Sequence, residues 1–281
     1  MEVWEVGSGK RENRCFYLSE YCATVSLAEL ASANIVGYTT KTAEQGKFIM
    51  YGSGFSNVSG SYKINELVSG AIPVDIDWDT TDWQNLAVQI QSYDEYGSLI
   101  QYFYVSNAWL DDGTEEGQYV EGWCDADGIL ITEVELTPGF GFWVKSPTAD
   151  SNIVVSGAVP EEDVTDVKCL QGFSIRSYPY PMDLSINSDK LSSADIVPTE
   201  IDWDSTAWQN LATQIQAYDE NGSLIQYFYV SNAWLDDGTE EGQYVEGWCD
   251  ADGIYADVVV KNMTGFWIKG TTGEVTLTFK K

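Results

Sequence analysis

Residues 77–129 and 202–254 are nearly the same sequence, set 125 positions apart. Five positions differ: Thr80/Ser205, Asp82/Ala207, Val88/Thr213, Ser92/Ala217 and Tyr96/Asn221. From Gly97 to Ile129 and from Gly222 to Ile254 the copies are identical, while the flanking segments have diverged. The chain is a tandem duplication whose middle third is held in two copies. Two copies of one surface suit bivalent contact or stacking better than a single catalytic pocket.

The 281 residues divide into an N-terminal arm, 1–33, and two repeats, 34–159 and 160–281, each large enough to bury its own core. The arm carries Lys10, Arg11 and Arg14, and Ser26-Leu27-Ala28-Glu29 has the spacing of a helix-capping box. The linker Pro160-Glu161-Glu162-Asp163 is short and should hold the repeats close.

The repeats read as strands. Asn221-Gly222 sits between the apolar runs of a hairpin. Leu99-Ile100-Gln101-Tyr102-Phe103-Tyr104-Val105 is rich in the β-branched and aromatic residues that suit a pleated sheet. Strands are expected over Leu86–Gln91, Ile129–Leu136, Phe140–Lys145 and Ile153–Val155, with a turn at Thr137-Pro138-Gly139. Turn signals recur every 8–12 residues, as in an all-β sandwich or barrel. The expected fold is therefore all-β: two tandem sandwich or barrel-like domains behind a short arm.

Charge narrows the partners. The net charge is −30, and the two blocks hold 23 of the 44 acids, none of the 14 bases and 8 of the 11 Trp. An acidic, aromatic surface disfavours nucleic acid and anionic lipid. No apolar run is long enough to cross a membrane as a helix, so no membrane insertion is expected. Met1-Glu2-Val3-Trp4-Glu5 lacks the basic start and apolar run of a signal peptide. The chain is either cytoplasmic or has lost a leader, and we expect the second, which places it outside a bacterium or on its surface. Of five cysteines, Cys15 and Cys22 could close a small loop, whereas Cys124 and Cys249 read as buried free thiols.

The acids suggest a possible cofactor. Asp75-Ile76-Asp77-Trp78-Asp79 alternates acid with apolar, so a strand here would put three carboxylates on one face. Asp125-Ala126-Asp127-Gly128 begins like a calcium loop, and Asp111, Asp112 and Glu115 lie in a second acidic loop. The same groups recur as Asp250 and Asp252, and as Asp236, Asp237 and Glu240. Folded together they could hold Ca²⁺, and the alternative is a polar loop beside a turn.

The block aromatics Trp78, Trp83, Tyr102, Tyr104, Trp109, Tyr119 and Trp123 all recur 125 residues later. They serve either as core or as a contact surface. Among them Trp109, Trp123, Trp234 and Trp248 are the candidate interface residues, together with Lys10, Arg11 and Arg14 of the arm. Aromatic faces can stack on sugar rings, and acids can accept hydroxyl hydrogen bonds.

Ala33-Asn34-Ile35-Val36-Gly37-Tyr38, Gly46-Lys47-Phe48-Ile49-Met50, the Gly-Trp-Cys-Asp turn and the closing Gly-Phe-Trp-Val-Lys resemble a β-repeat of secreted or surface proteins in some Gram-negative bacteria. The likeness spans 33–159, and 165–281 less well. It implies an exported β-protein and carries no defined activity.

The expected role is non-catalytic: a structural or adhesive protein that associates with itself, its basic arm meeting the acidic block of a neighbour. A bivalent carbohydrate-binding module is the alternative, and exposed Trp or Tyr on both repeats would favour it. A glycan-degrading enzyme would need two carboxyl groups across a cleft, and the absence of histidine excludes histidine-based triads.

Overall fold

In the computed structural model the described residues are 36–281, apart from 57–62, 95, 112, 115–116, 219–222, 240–241, 257 and 272. The arm, with Lys10, Arg11, Arg14, Cys15, Cys22 and the capping box at Ser26, lies outside them, as do Asp112, Glu115 and Glu240.

Repeat 1 contains β1 (Val36–Ala43), β2 (Phe48–Gly52), β3 (Val68–Ser69), β4 (Val88–Tyr93), β5 (Leu99–Leu110), β6 (Gln118–Cys124), β7 (Gly141–Lys145) and β8 (Ser151–Ala158). Repeat 2 contains β9 (Val164–Cys169), β10 (Gly172–Ser177), β11 (Leu184–Ser185), β12 (Leu191–Ser192), β13 (Gln214–Tyr218), β14 (Leu224–Leu235), β15 (Gln243–Cys249), β16 (Val259–Val260), β17 (Gly265–Gly270) and β18 (Val275–Lys280). Each repeat pairs a five-stranded sheet with a three-stranded one. The orders are β2-β7-β4-β5-β6 with β1-β8-β3, and β10-β17-β13-β14-β15 with β12-β18-β9. Both strand orders are open rather than cyclic, so the repeats are sandwich-like and not barrels.

Alternation along the strands explains each core. Ile153 and Val155 of β8 meet Val88 and Ile90 of β4, Phe142 and Val144 of β7, and Trp123 of β6. In repeat 2 Ile215, Trp248, Phe266, Ile268, Leu277 and Phe279 do the same. A smaller core lies on the other side of each large sheet: Ile76, Trp83, Phe103, Val105 and Cys124, matched by Ile201, Trp208, Phe228, Val230 and Cys249.

The rest of that second face, on β2, β7 and β4 in repeat 1 and on β10, β17 and β13 in repeat 2, packs against the other repeat. In Gly141-Phe142-Trp143 the phenylalanine enters the core, which turns the glycine and tryptophan outward on the opposite side. Gly265-Phe266-Trp267 repeats this. Trp143 meets Tyr218 at 5.6 Å between ring centroids, and Trp267 meets Tyr93 at 5.6 Å. The two indoles lie 6.3 Å apart. Phe48 stands edge-on to Trp143, and Phe173 to Trp267. Backbone bonds follow the same reciprocity: Gly52 N donates to Met263 O at 3.0 Å, and Ser177 N to Gly139 O at 2.9 Å. A Cβ on Gly141 would sit 2.8 Å from the Arg176 backbone, and one on Gly265 would sit 2.8 Å from Tyr51 O. Contacts in which i meets j while j's counterpart meets i's are those of a two-fold interface, here fused into one chain. Both repeats accordingly belong to one compact unit, Asn34–Lys281. Lys41 breaks the symmetry. Its Nζ donates to Met263 O at 2.8 Å and Thr264 Oγ1 at 2.6 Å, and burial lowers its pKa to about 8.

Two expected strands are corrected. Ile129–Leu136 makes only isolated bridges, at Ile129, Leu130 and Glu135. Asp75–Asp79 is not a strand with three aligned carboxylates either. β5 carries a bulge between Val105 and Ala108, and Asn107 in that bulge clasps Ile76. Its Oδ1 accepts from Ile76 N at 2.7 Å, and its Nδ2 donates to Ile76 O at 3.3 Å. Asn232 holds Ile201 with the same distances. The chain then turns at Asp77, whose carboxylate accepts from Asp79 N and Thr80 Oγ1. Ile76 goes into the core and Trp78 goes out to solvent.

Candidate binding surfaces

The turn at Asp77 delivers Trp78 to the surface, 49% exposed. Beneath it lies the turn Asp125-Ala126-Asp127-Gly128. Asp125 Oδ1 accepts from Asp127 N and Ile129 N, both at 2.9 Å, which closes the turn. Gly128 has φ +80°, and a Cβ there would come within 2.9 Å of the Trp78 ring. The glycine therefore serves twice, for the left-handed turn and for the close approach of the indole. Gln84 Nε2 ties the assembly together by donating to Ala126 O at 2.8 Å.

Tyr119 of β6 completes the surface. Its ring lies 5.8 Å from Trp78 at an interplanar angle of 65°, and it is 62% exposed. Repeat 2 reproduces the pair: Trp203 and Tyr244 lie 5.8 Å apart at 66°, 49% and 65% exposed. Each pair forms an open aromatic corner. The neighbouring Asp77, Asp79 and Asp127 are exposed, as are Asp202, Asp204 and Asp252.

The candidate residues separate by environment. Trp109 and Trp234 are half-buried. A Cβ on Gly117 would come within 2.2 Å of Trp109 Nε1, so this indole packs on the loop glycine, as Trp234 does on Gly242. Trp123 and Trp248 are corrected from interface candidates to core residues, 1% and 4% exposed, because they lie at the end of the edge strand that the opposing three-stranded sheet covers. Tyr104 leans on Trp123 and donates through its hydroxyl to Glu121, and Tyr229 donates to Glu246 at 2.6 Å. Burial first, and then the glutamate, push both tyrosines up to about 12.

The acidic candidates serve their own loops. Asp111 Oδ1 accepts from Gly113 N, and Asp236 Oδ1 from Gly238 N, each at 2.9 Å. Asp237 accepts from Thr239 and from Gln243 Nε2, and the Thr239 bonds hold its carboxyl below the usual value. Asp250 caps its turn as Asp125 does, through Asp252 N and Ile254 N. Asp127 and Asp252 point to solvent. Among the described residues no three carboxylates or thiols are grouped closely enough to hold a metal ion. Cys124, Cys169 and Cys249 are buried free thiols. Burial pushes Cys124 and Cys249 up to about 12 and Cys169 up to about 11.

Trp78, Tyr119, Trp203 and Tyr244 were thus the surface aromatics to choose. For Trp78 and Trp203 the signal was local: Asp-x-Asp-Thr/Ser around the tryptophan is turn chemistry, which ejects the side chain that a strand would have buried, whereas nothing local marks Tyr119 and Tyr244 on their strands.

The chain matches no family model, no curated protein and no solved structure.

Proposed function

We propose that this chain is a non-catalytic adhesive protein that binds glycan bivalently, through Trp78 and Tyr119 in one repeat and Trp203 and Tyr244 in the other. The observation that carries the reading is the recurrence of one half-exposed aromatic corner, held from beneath by a glycine turn, at two equivalent places on a single compact unit. An indole and a phenol present apolar faces to a sugar ring, and the adjacent carboxylates accept bonds from its hydroxyls. A net charge of −30 turns away polyanions but costs a neutral glycan nothing comparable. Two weak sites on one body gain by avidity, by about 10²–10⁴-fold when both can engage. This reading fits a protein working at the bacterial surface, where glycans are displayed in many copies.

The test is binding to a panel of immobilised neutral glycans by wild type, Trp78→Ala, Trp203→Ala and the double variant. Each single variant should lose at least about tenfold in apparent affinity through lost avidity, and the double variant should lose binding altogether. Undiminished binding by a folded double variant would sink the reading.

A further inference from the structure

The two copies of Trp123, Tyr104 and Glu121 stand in different surroundings. Above them in repeat 1 is an open hollow of 610 Å³, lined by Tyr104 and Trp123, Leu67 and Leu130, and Asn65 and Glu121. The matching space in repeat 2, beside Tyr229 and Trp248, is 30 Å³.

The cause is visible in the chain. Asn65 and Asn187 are structural counterparts: Asn65 Oδ1 accepts from Trp123 N at 2.7 Å, and Asn187 Oδ1 from Trp248 N at 2.8 Å. Pro73 and Pro198 are counterparts in the 125-residue register. Between these landmarks repeat 1 has nine residues, Asn65 to Pro73, and repeat 2 has twelve, Asn187 to Pro198. The longer connection lays Leu191, Ser193 and Ile196 into the space beside Trp248. A second difference works the same way. Leu130 stands where repeat 2 has Tyr255, both held by a backbone bond to the equivalent tryptophan carbonyl.

We propose that the repeat 1 hollow is a binding site for one neutral sugar ring, and that repeat 2 has no such site. Its volume falls within the roughly 300–1,000 Å³ of small-ligand sites. Its accessible walls combine the Tyr104 ring and Leu130 with the Asn65 amide, the Thr132 hydroxyl and the Glu121 carboxylate, over a floor of buried Leu67 and Trp123. That mixture suits a ligand with apolar ring faces and several hydroxyls. No cation lies among the lining residues, which disfavours an anionic ligand. The hollow is separate from the exposed corners, so it stands whether or not they bind glycan.

The experiment is a titration of the full chain, ¹⁵N-labelled at tryptophan, with glucose, galactose, mannose and N-acetylglucosamine to high millimolar concentration. Indole N–H signals are followed by NMR, with Trp123 and Trp248 assigned from the Phe variants or, if those do not fold, by through-bond experiments. The expected result is a saturable shift of the Trp123 signal with at least one sugar, while the Trp248 signal stays still. Leu130→Tyr, which installs the residue repeat 2 already carries, should weaken that binding at least about tenfold. Trp78→Ala with Trp203→Ala should leave it intact. A Trp123 signal unmoved by every sugar, a parallel shift at Trp248, unchanged affinity in Leu130→Tyr, or loss of the shift in the Trp78/Trp203 double variant would each overturn the proposal.

Discussion

Repeat 1 and repeat 2 carry identical sequence from Gly97 to Ile129 and from Gly222 to Ile254, and the described residues of those segments fold alike down to the hydrogen bonds of Asn107 and Asn232. Yet Trp123 borders a 610 Å³ hollow and Trp248 a 30 Å³ crevice. The difference teaches that a duplicated block fixes its own strands, bulge and turns, whereas the space above it belongs to whatever the divergent flank lays there. The exposed corners Trp78/Tyr119 and Trp203/Tyr244 are built wholly within the block, and they are the same in both repeats. The hollow is built half from the flank, and it is not.

Truncating the two core tryptophans gives the largest test of that contrast. Trp248→Ala and Trp123→Ala should each cost about 3–5 kcal/mol, because both indoles are buried, 4% and 1% exposed, and fill the same place in each core. Urea unfolding of both variants checks it, and a clear difference between the two losses would show that the divergent flank changes how the indole beneath it is packed.

The inter-repeat face should likewise behave as two equal halves. Gly141→Ala and Gly265→Ala each force a methyl against backbone 2.8 Å away. Each should destabilise the chain by about 2–3 kcal/mol. A loss at only one of them would show that the two-fold reciprocity is not energetically shared.

Asn107→Ala and Asn232→Ala remove the same clasp from identical surroundings. Both should cost about 1–2 kcal/mol, through the Ile76 or Ile201 backbone groups left without partners, and thermal unfolding should rank them together.

The smallest effect is a pH dependence. Cys124 and Cys249 have folded pKa values near 12 against an ordinary 9.0, because burial disfavours the thiolate. Folding thus favours the protonated thiol. The contribution is fully present below pH 9 and is lost as pH rises through 12. Lys41, lowered to about 8 from 10.5, works the other way and adds stability as pH rises from 8 to 10.5. Cys124→Ala and Cys249→Ala should each flatten the alkaline loss of stability by the same amount. Unequal flattening in denaturant titrations at several pH values would separate the two repeats electrostatically.

Much of the fold was legible. The β-branched and aromatic residues of Leu99–Val105 and the Gly-Phe-Trp closing strand predicted sheet, and β5 and β7 are there. Asp75–Asp79 was misread because acid and apolar residues alternate in a turn as readily as in a strand; the Asp77-Trp78-Asp79-Thr80 turn chemistry favours the turn, and the Asn107 clasp, remote in sequence, fixes it. Trp123 and Trp109 could not be ranked by exposure, since both sit on strands and their burial depends on which sheet covers each side. The Asp125 and Asp250 carboxylates looked like metal ligands, yet each caps its own turn, a role with nearly the same sequence requirement.

By itself the sequence determined the duplication, the all-β class, the acidic and aromatic character of the repeated surface, and the glycine turns, since all of these follow from local residue chemistry and period. Only the tertiary structure decided that the two repeats meet through reciprocal Trp143 and Trp267 contacts, which aromatics remain in solvent, and that three residues fewer between Asn65 and Pro73 leave a hollow over Trp123. Those outcomes depend on groups far apart in the chain, and the volume left between them is a difference of large packed surfaces that no local pattern encodes.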